Sequence, residues 1–378
     1  LFIFDPYFFH PLRARKLPHR MQFLLESIRE LSSNLASLGS RLICVSGPSV
    51  TLMPELVKRW GITRVVAHRW TEPFGRTRDA RIAESLSVPM TLYEGETLHP
   101  PGTLRTGKGT PYSVFTPFSR ALRKAARISE PLPKPKGLGA VPSVAMKDNE
   151  EIPCLETLGI SRNPHLQAGG ESAARARLKL FLEQRVGTYC VGRDQLGEPA
   201  TSRLSADIKF GTLSVRTIWR SVEELDVKGQ GESAETFLNE LIWRDFSYST
   251  LWDRPEVLRV PFRPSWKGFP WRNDPEEWRA WKNGQTGYPV IDAGARQLLE
   301  TGFVHNRARM ITASFLCKHL LIDYRRGESH FLKYLTDGDW AQNNAGWQWS
   351  AGCGCDAQPY FRVFNPITQG AKFDPAGN

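Results

Sequence analysis

The sequence predicts an α/β domain with a doubly wound parallel sheet, followed by an all-α domain. Short apolar runs alternate with helical patterns as far as residue 93, and strand signals almost disappear beyond Gly169. A stretch rich in Pro and Gly, PLPKPKGLGAVPS, lies between the two regions and has the composition of a surface linker. We therefore expect domains at 1–122 and 167–378, joined by a linker at 123–166.

Each element of the first domain follows from a local pattern. Runs rich in β-branched or aromatic residues, bounded by Gly, Pro or Asp, predict buried strands at 1–4, 42–45, 64–67 and 89–93. Apolar residues at helical spacing predict helices at 21–38, 54–60 and 79–86. Gly39 stands where a helix C-cap belongs. The domain has no glycine fingerprint for dinucleotides and no P-loop.

The second domain is predicted from helical periodicity alone. Apolar spacing predicts one helix that starts near residue 173 and further helices at 236–248, 293–300 and 308–324. The longest apolar stretch, 310–322, is cut by Lys318 and His319 and is too short to span a bilayer.

Composition limits the classes of function. The formal net charge is +11, from 50 Lys and Arg against 39 Asp and Glu, which favours a polyanionic partner such as nucleic acid. The six cysteines are scattered, and none has zinc-finger spacing, so we expect reduced thiols in a cytoplasm and no metal site. No signal peptide is visible.

The segment 201–214, TSRLSADIKFGTLS, places hydroxyls and an Arg at the predicted start of a helix. Free N–H groups and the helix dipole make such a start a natural anion site. A Ser or Thr N-cap explains the same residues without any ligand.

Tryptophan is concentrated in the second domain, where nine of the twelve lie between Glu240 and Trp349. Glu240, Trp243 and Arg244 share one helical face at i, i+3 and i+4, where they could hydrogen-bond, stack on and hold a nucleotide. The alternative is an exposed Glu–Arg pair beside a core Trp.

A second set follows in HNRARMITASF, which contains Asn306, Arg307, Arg309 and Met310. An Arg that faces inward needs a carboxylate, which Asp337 or Asp339 could supply. We expect a structural role for His305, because no second residue marks it as a base.

These motifs resemble the photolyase–cryptochrome family, and the class I cyclobutane pyrimidine dimer (CPD) photolyases in particular. The resemblance rests on TPYSVFTPFSRA (110–121), TSRLS (201–205), ELIWRDF (240–246), GQTGYPVIDAGARQL (284–298), HNRARMITASFL (305–316), DGDWAQNNAGWQW (337–349) and PYFRVFNPITQGAKFD (359–374). It implies that the family's first strand, before Leu1, and its last helix, after Asn378, are missing from this sequence. It further implies a monomer that acts on UV-damaged DNA without a membrane or a protein partner.

The resemblance implies that FAD lies folded in a U shape inside the helical domain, with FADH⁻ as the active form. The pyrophosphate would be held by Tyr189 and by Thr201, Ser202, Arg203, Leu204 and Ser205. The flavin end and its ribitol or ribose would contact Asp337, Gly338 and Asp339. Arg309 would pair with Asp337, and Asn343 would face flavin N5.

The implied reaction is electron transfer from excited FADH⁻ to a flipped-out dimer, followed by return of the electron. Glu240 would hydrogen-bond the thymine carbonyl side, Trp243 and Trp349 would sandwich the dimer, Met310 would pack on it, and Asn306 would bridge flavin and lesion. Arg193, Arg244, Arg307 and Arg362 are candidates for the flanking phosphates.

The sequence departs from the family in two places. Flavin reduction in the family uses three tryptophans; Trp347 and Trp271 match the proximal and distal positions, but Tyr324 occupies the middle. We expect slow photoreduction or a detour through another Trp. Phe74 and Gly75 replace the Asn-Glu of folate-binding relatives, which argues against folate and leaves a deazaflavin, another flavin or no antenna open.

The main alternative is a cryptochrome-type blue-light photoreceptor with the same fold and FAD but no repair. A 6-4 photolyase would carry a His-rich stretch in place of HNRARM. A plain flavin oxidoreductase or a nucleic-acid-binding module would account for the charge but not for the set of pocket residues.

Overall fold

The computed structural model describes residues 1–125, 128–226 and 231–377. Its strands are β1 (Phe2–Phe4), β2 (Cys44–Ser46), β3 (Val65–His68) and β4 (Met90–Tyr93). The helices before residue 150 are α1 (Pro6–Phe9), α2 (Pro11–Ala14), α3 (Pro18–Ser37), α4 (Ser49–Trp60), α5 (Pro73–Ser85), α6 (Phe115–Ala125) and α7 (Ser143–Met146). The later helices are α8 (Glu171–Gln184), α9 (Tyr189–Gly192), α10 (Ser205–Phe210), α11 (Val215–Asp226), α12 (Gly231–Asp253), α13 (Pro275–Lys282), α14 (Pro289–Thr301), α15 (Asn306–Ser314), α16 (Tyr324–Tyr334), α17 (Trp340–Ala351) and α18 (Pro366–Phe373).

All four predicted strands are present, and they pair in parallel as expected. β1 pairs with β2 and β3 pairs with β4, each through a helical crossover. The expectation of one continuous sheet is wrong for the described residues, which form two separate two-stranded sheets. The sequence pattern identifies buried parallel strands but carries no information on which strand lies beside which.

The second half is helical, and its first core is built around α12. This long helix packs against α6, α8 and α11, with Phe181, Ile218 and Ile242 completely buried between them. Phe118 and Leu122 of α6 belong to the same core, so the domain boundary predicted at 122 falls inside a helix that packs on the second half.

The second core lies among α13 to α17. The single helix predicted at 308–324 is wrong, because the helix breaks within this core. α15 ends at Ser314, a π-helical turn follows at Phe315–His319, and Leu321 adopts a left-handed backbone with φ of 50°. A new helix, α16, starts at Tyr324 with Asp323 as its N-cap. The apolar pattern runs through the break because Leu316 and Cys317 are core residues within the turn.

Within the described residues, no helix is both long enough and apolar enough to cross a bilayer.

Candidate active site

A cavity of about 400 Å³ opens between α12, α15 and α17. It has the size of a typical ligand site. Its wall contains ten of the residues that the sequence singled out: Arg193, Glu240, Trp243, Arg244, Asn306, Arg309, Met310, Asn343, Trp347 and Trp349. The structure therefore brings together motifs that lie more than a hundred residues apart in the chain.

The spacing of these residues along their helices, and the caps at the helix starts, bring their side chains to the cavity. Glu240, Trp243 and Arg244 all line the cavity, as their spacing on α12 predicts. α15 begins where the His305 ring accepts a hydrogen bond from the backbone N–H of Arg307, at 3.1 Å. Burial, together with the nearby Arg309, lowers the pKa of His305 to about 4, so the ring is a neutral cap, as expected.

Glu240 lines the cavity and forms an ion pair with Arg193. The Arg193 guanidinium donates to its carboxylate at 2.6 Å, and both side chains are mostly buried. Burial raises the pKa of Glu240, and Arg193 opposes that shift without cancelling it. The carboxyl therefore holds a proton more readily than an ordinary glutamate does.

Trp243 is fixed in the cavity wall by an aromatic partner. Its ring stacks on Phe115 at 3.7 Å between centroids with 4° between the planes. Phe115 begins α6, and its backbone N–H donates to the Asp356 carboxylate at 3.0 Å. The structure thus covers one face of the indole with protein, while Trp243 lines the cavity.

Arg309 and Asp337 form the ion pair that the sequence predicted, with 2.8 Å between the charged atoms. A smaller cavity of about 10 Å³ lies beside Asp337 and is also lined by Ser205, Gln167 and Thr336. Four buried polar atoms in this region have no hydrogen-bond partner among the residues that the structure describes: Arg203 Nε, Gln167 Nε2, Thr336 Oγ1 and Asp337 Oδ1.

These unpaired atoms test whether a flavin dinucleotide fits. Buried polar groups without partners are costly, so they indicate a polar ligand or water that completes their hydrogen bonds. The set includes nitrogen donors and a carboxylate acceptor, which match the phosphate oxygens and sugar hydroxyls of a dinucleotide. The residues present therefore fit FAD.

Several predicted cofactor residues do not reach either cavity. Tyr189 packs edge-on against Phe181 and Phe237 in the core of the helical half. The other predicted cofactor residues that lie outside the walls of these two cavities are Thr201, Ser202, Arg203, Leu204, Gly338 and Asp339. Of the segment 201–205, only Ser205 lines a cavity.

Asp339 departs most from its expected role beside the ribitol or ribose. Its carboxylate accepts from the Tyr248 hydroxyl at 2.5 Å and pairs with Lys209 at 3.1 Å. It also caps α17 by accepting from the backbone N–H of Gln342 at 3.0 Å. Burial alone would raise the pKa of Asp339, but Lys209 and Arg244 hold it below the ordinary value. These contacts give Asp339 a structural role, and its contact with the ribitol or ribose stays a prediction.

The four arginines predicted at phosphates differ in their partners. Arg193 pairs with Glu240, and the Arg244 guanidinium donates to the Glu96 carbonyl at 2.5 Å and to the Tyr248 hydroxyl at 3.3 Å. Arg307 pairs with Asp194 at 2.5 Å, and Arg362 is the one exposed side chain of the four. The contacts with DNA phosphates stay a prediction.

Trp347 is buried in the cavity wall, as a donor to a bound flavin would need to be. Tyr324 and Trp271 lie 6.5 Å apart between ring centroids. The ring of Trp347 contacts Trp281 at 6.0 Å and Phe331 at 5.1 Å.

Phe115 is a site residue that the sequence analysis does not single out, although the structure stacks it on Trp243. It lies within TPYSVFTPFSRA, but nothing in a single sequence links that motif to Trp243.

The fold and the cavity define a flavin-binding protein with an α/β half and a helical half. Comparison with known protein families supports this class. Residues 1–136 match the family model described as DNA photolyase, and residues 237–378 match the FAD binding domain of DNA photolyase. The chain is 38% identical over 364 residues to the deoxyribodipyrimidine photo-lyase of Agrobacterium fabrum, covering 94% of this chain and 76% of that protein.

Two solved structures extend the comparison. A bacterial class III photolyase from Agrobacterium tumefaciens superposes with a TM-score of 0.88 at 38% identity, over 96% of this chain and 76% of that one. A cryptochrome from Synechocystis gives the same TM-score at 30% identity, over 99% of this chain and 80% of that one. The chain belongs to the DNA photolyase and cryptochrome family, and FAD is its cofactor.

Proposed function

We propose that this chain is a deoxyribodipyrimidine photo-lyase that uses light to repair cyclobutane pyrimidine dimers in DNA. One observation carries the proposal: Glu240, Trp243, Asn306, Met310 and Trp349 line a single cavity together with Arg309 and Asn343, which are proposed to hold FAD. The motifs favour class I, while the class III relative at 38% identity makes that class the competing assignment.

The apolar residues of the cavity would hold the dimer. Trp243 is already fixed by Phe115, and its role is to offer a flat surface to one side of the extruded bases. Trp349 would cover the other side and Met310 would fill the space between them. Extruding the lesion costs a few kcal/mol at most, and less for a step that already stacks poorly.

Glu240 would recognise the polar edge of the dimer. A carboxyl group that keeps its proton can donate a hydrogen bond to a thymine carbonyl, and burial raises the pKa of Glu240 in the direction that this requires. Arg193 then stabilises the carboxylate whenever the proton leaves. Asn306 would contact flavin and lesion together.

The chain would hold FAD through Arg309, Asp337, Arg203, Ser205 and Asn343. The amide nitrogen of Asn343 donates to the Glu328 carbonyl at 2.9 Å, which fixes this side chain in the cavity wall. Reduced FAD, once bound and excited by blue light, supplies the one electron that ring opening needs and recovers it afterwards.

Repair of a thymine dimer in a short oligonucleotide tests the proposal, with bound FAD and a reductant, in blue light and in the dark. We expect intact thymines only in the light. Glu240→Gln keeps a donor and Glu240→Leu removes it, so only the second should lose about 2- to 10-fold in affinity for the dimer, the value of one hydrogen bond. Bound FAD without any repair would contradict the proposal.

The second candidate is a blue-light photoreceptor, which the structural likeness to the Synechocystis cryptochrome favours. Such a protein would show light-driven changes of its flavin but leave the dimer intact. The same assay separates the two functions.

A further inference from the structure

The turn that carries Asp337 joins two helices of the helical half, and we call residues 335–339 the Asp337 turn. α16 ends at Tyr334, and α17 begins after the turn. Asp337 pairs with Arg309 through Oδ2, while its Oδ1 has no hydrogen-bond partner among the described residues. Asp337 also lines the small cavity of about 10 Å³. The position of the turn therefore decides where the unpaired oxygen lies.

Arg20, on α3 of the α/β half, holds the Asp337 turn from outside the helical half. Its Nη2 donates to the Leu332 carbonyl at 2.6 Å, and its Nη1 donates to the Gly338 carbonyl at 3.1 Å. The Leu332 carbonyl lies in the last turn of α16, where carbonyl oxygens have no partner within the helix and carry a partial negative charge. A planar guanidinium suits such a bridge, because its N–H groups form a rigid fork.

His19, the neighbour of Arg20, adds a third hydrogen bond to the same end of α16. Its Nδ1 lies 2.6 Å from the Tyr334 carbonyl, which can only accept, so Nδ1 carries the proton. Nε2 then accepts from the Asn163 amide at 3.3 Å. Burial lowers the pKa of His19, so the ring is neutral at pH 7. Two adjacent side chains of α3 thus fix the helix end from which the Asp337 turn leaves.

The surroundings of Arg20 keep it charged and closely packed. Burial lowers the pKa of Arg20 to about 10, against the opposing effect of nearby Glu72, Asp339 and Asp337, so the guanidinium is charged at neutral pH. Gly338 leaves the space that the guanidinium occupies, since a Cβ added there would lie 3.4 Å from Arg20 Cζ. An aliphatic side chain at position 20 would lose both hydrogen bonds to the turn.

We propose that Arg20 is a positioning residue for FAD, which fixes the Asp337 turn so that Asp337 presents Oδ1 to the cofactor. Arg20 lines neither cavity, so it acts through the turn and not by contact with the ligand. The inference rests on the proposed role of Asp337 in holding FAD. It requires neither DNA nor light.

Arg20→Met tests the proposal, and Arg29→Met is the matched control. Arg29 lies on the same helix and donates to the Pro153 carbonyl at 2.7 Å, away from the Asp337 turn. The readout is the rate at which the holoprotein releases FAD after dilution in the dark, below the temperature at which unfolding begins. We expect Arg20→Met to release FAD about 10-fold faster, the equivalent of one charge-assisted hydrogen bond, and Arg29→Met to match the parent. Equal rates in the two variants would overturn the proposal.

Asp337→Asn separates a positioning role from a general loosening of the fold. If Arg20 acts through Asp337, Arg20→Met should speed release by less than about 2-fold in a chain that already carries Asp337→Asn. The same fold-change in both backgrounds would mean that Arg20 acts elsewhere, and the proposal would be wrong. An unchanged rate in Asp337→Asn alone would remove the role of Asp337 and this inference with it, whereas the repair assay decides the proposed function separately.

Arg20→Lys covers the case in which Arg20→Met does not fold. Lysine keeps the positive charge at the end of α16 but has no rigid fork to bridge the carbonyls of Leu332 and Gly338. We expect Arg20→Lys to release FAD faster than the parent protein does. Release at the parent rate would show that the bridge is not needed and would sink the assignment.

Discussion

Replacing Phe115 by Leu removes the ring that holds Trp243 in place. The two rings are stacked at 3.7 Å with 4° between their planes, so the variant loses an aromatic pair but keeps an apolar side chain. Such pairs contribute about 0.5 to 1.5 kcal/mol beyond burial. If Trp243 must be held flat against the dimer, the affinity for damaged DNA falls by about 2- to 13-fold.

The assay is the dissociation constant for a short oligonucleotide with one thymine dimer, measured beside the same sequence without damage. The affinity for intact DNA should not change, because Phe115 supports only the lesion pocket. Phe118→Leu is the control, because Phe118 lies in the same helix and is buried, but its ring contacts Tyr112 and Phe246 rather than Trp243. Retained FAD absorbance checks that both variants fold.

The result that refutes this reasoning is an unchanged ratio of damaged to intact affinity in Phe115→Leu. An equal loss for both DNA forms would also refute it, because that pattern indicates a general effect on the surface. A loss of the same size in Phe118→Leu would assign the effect to the core instead of to Trp243.

Tyr324→Trp should speed reduction of oxidised flavin in blue light, since an indole can be oxidised before it loses a proton; an unchanged rate would refute our account of Tyr324. His330→Gln should make the free energy of unfolding less sensitive to acid. Burial lowers the pKa of His330 in the folded protein to about 4, against an ordinary value of 6.5. The free energy of unfolding of the parent protein therefore falls as the pH drops from 6.5 to 4, by about 3 kcal/mol at pH 4. Denaturant midpoints measured across this pH range check the prediction, and an unchanged pH dependence in His330→Gln would contradict it. Arg307→Gln should weaken the binding of damaged and intact DNA alike and make the slope of log affinity against log salt less steep by about 0.9. With Arg307 and Arg362 as the phosphate contacts, the slope for the parent protein is about −2. A slope near zero would exclude this face as the DNA-binding surface.

Much of the site could be predicted because helical spacing is a local property. Glu240, Trp243 and Arg244 were expected on one face, and all three line the cavity. The pairing of an inward Arg309 with Asp337 followed from the cost of burying an unpaired charge.

What the sequence could not predict are partners that depend on tertiary contacts. Arg244 was expected at phosphates, but Glu96, from the first half of the chain, offers it a carbonyl inside the molecule. The helix expected at 308–324 failed for a related reason, since core packing of Leu316 tolerates a π-turn that periodicity does not reveal. The prediction of one continuous sheet was wrong because the order of strands in a sheet produces no pattern in the local sequence.

The buried charges between the two halves explain why the cavity depends on both. Lys209 bridges Glu72, at the start of α5, and Asp339, at the start of α17, with distances of 2.8 and 3.1 Å. Because Asp339 also caps α17, this bridge fixes the helix that carries Asn343, Trp347 and Trp349 into the cavity. Burial alone would lower the pKa of Lys209, but the two carboxylates raise it, so its charge persists at every physiological pH. Among the described residues, the α/β half thus helps to position one wall of the cavity without lining it, and a change at Glu72 should act on the cavity through α17.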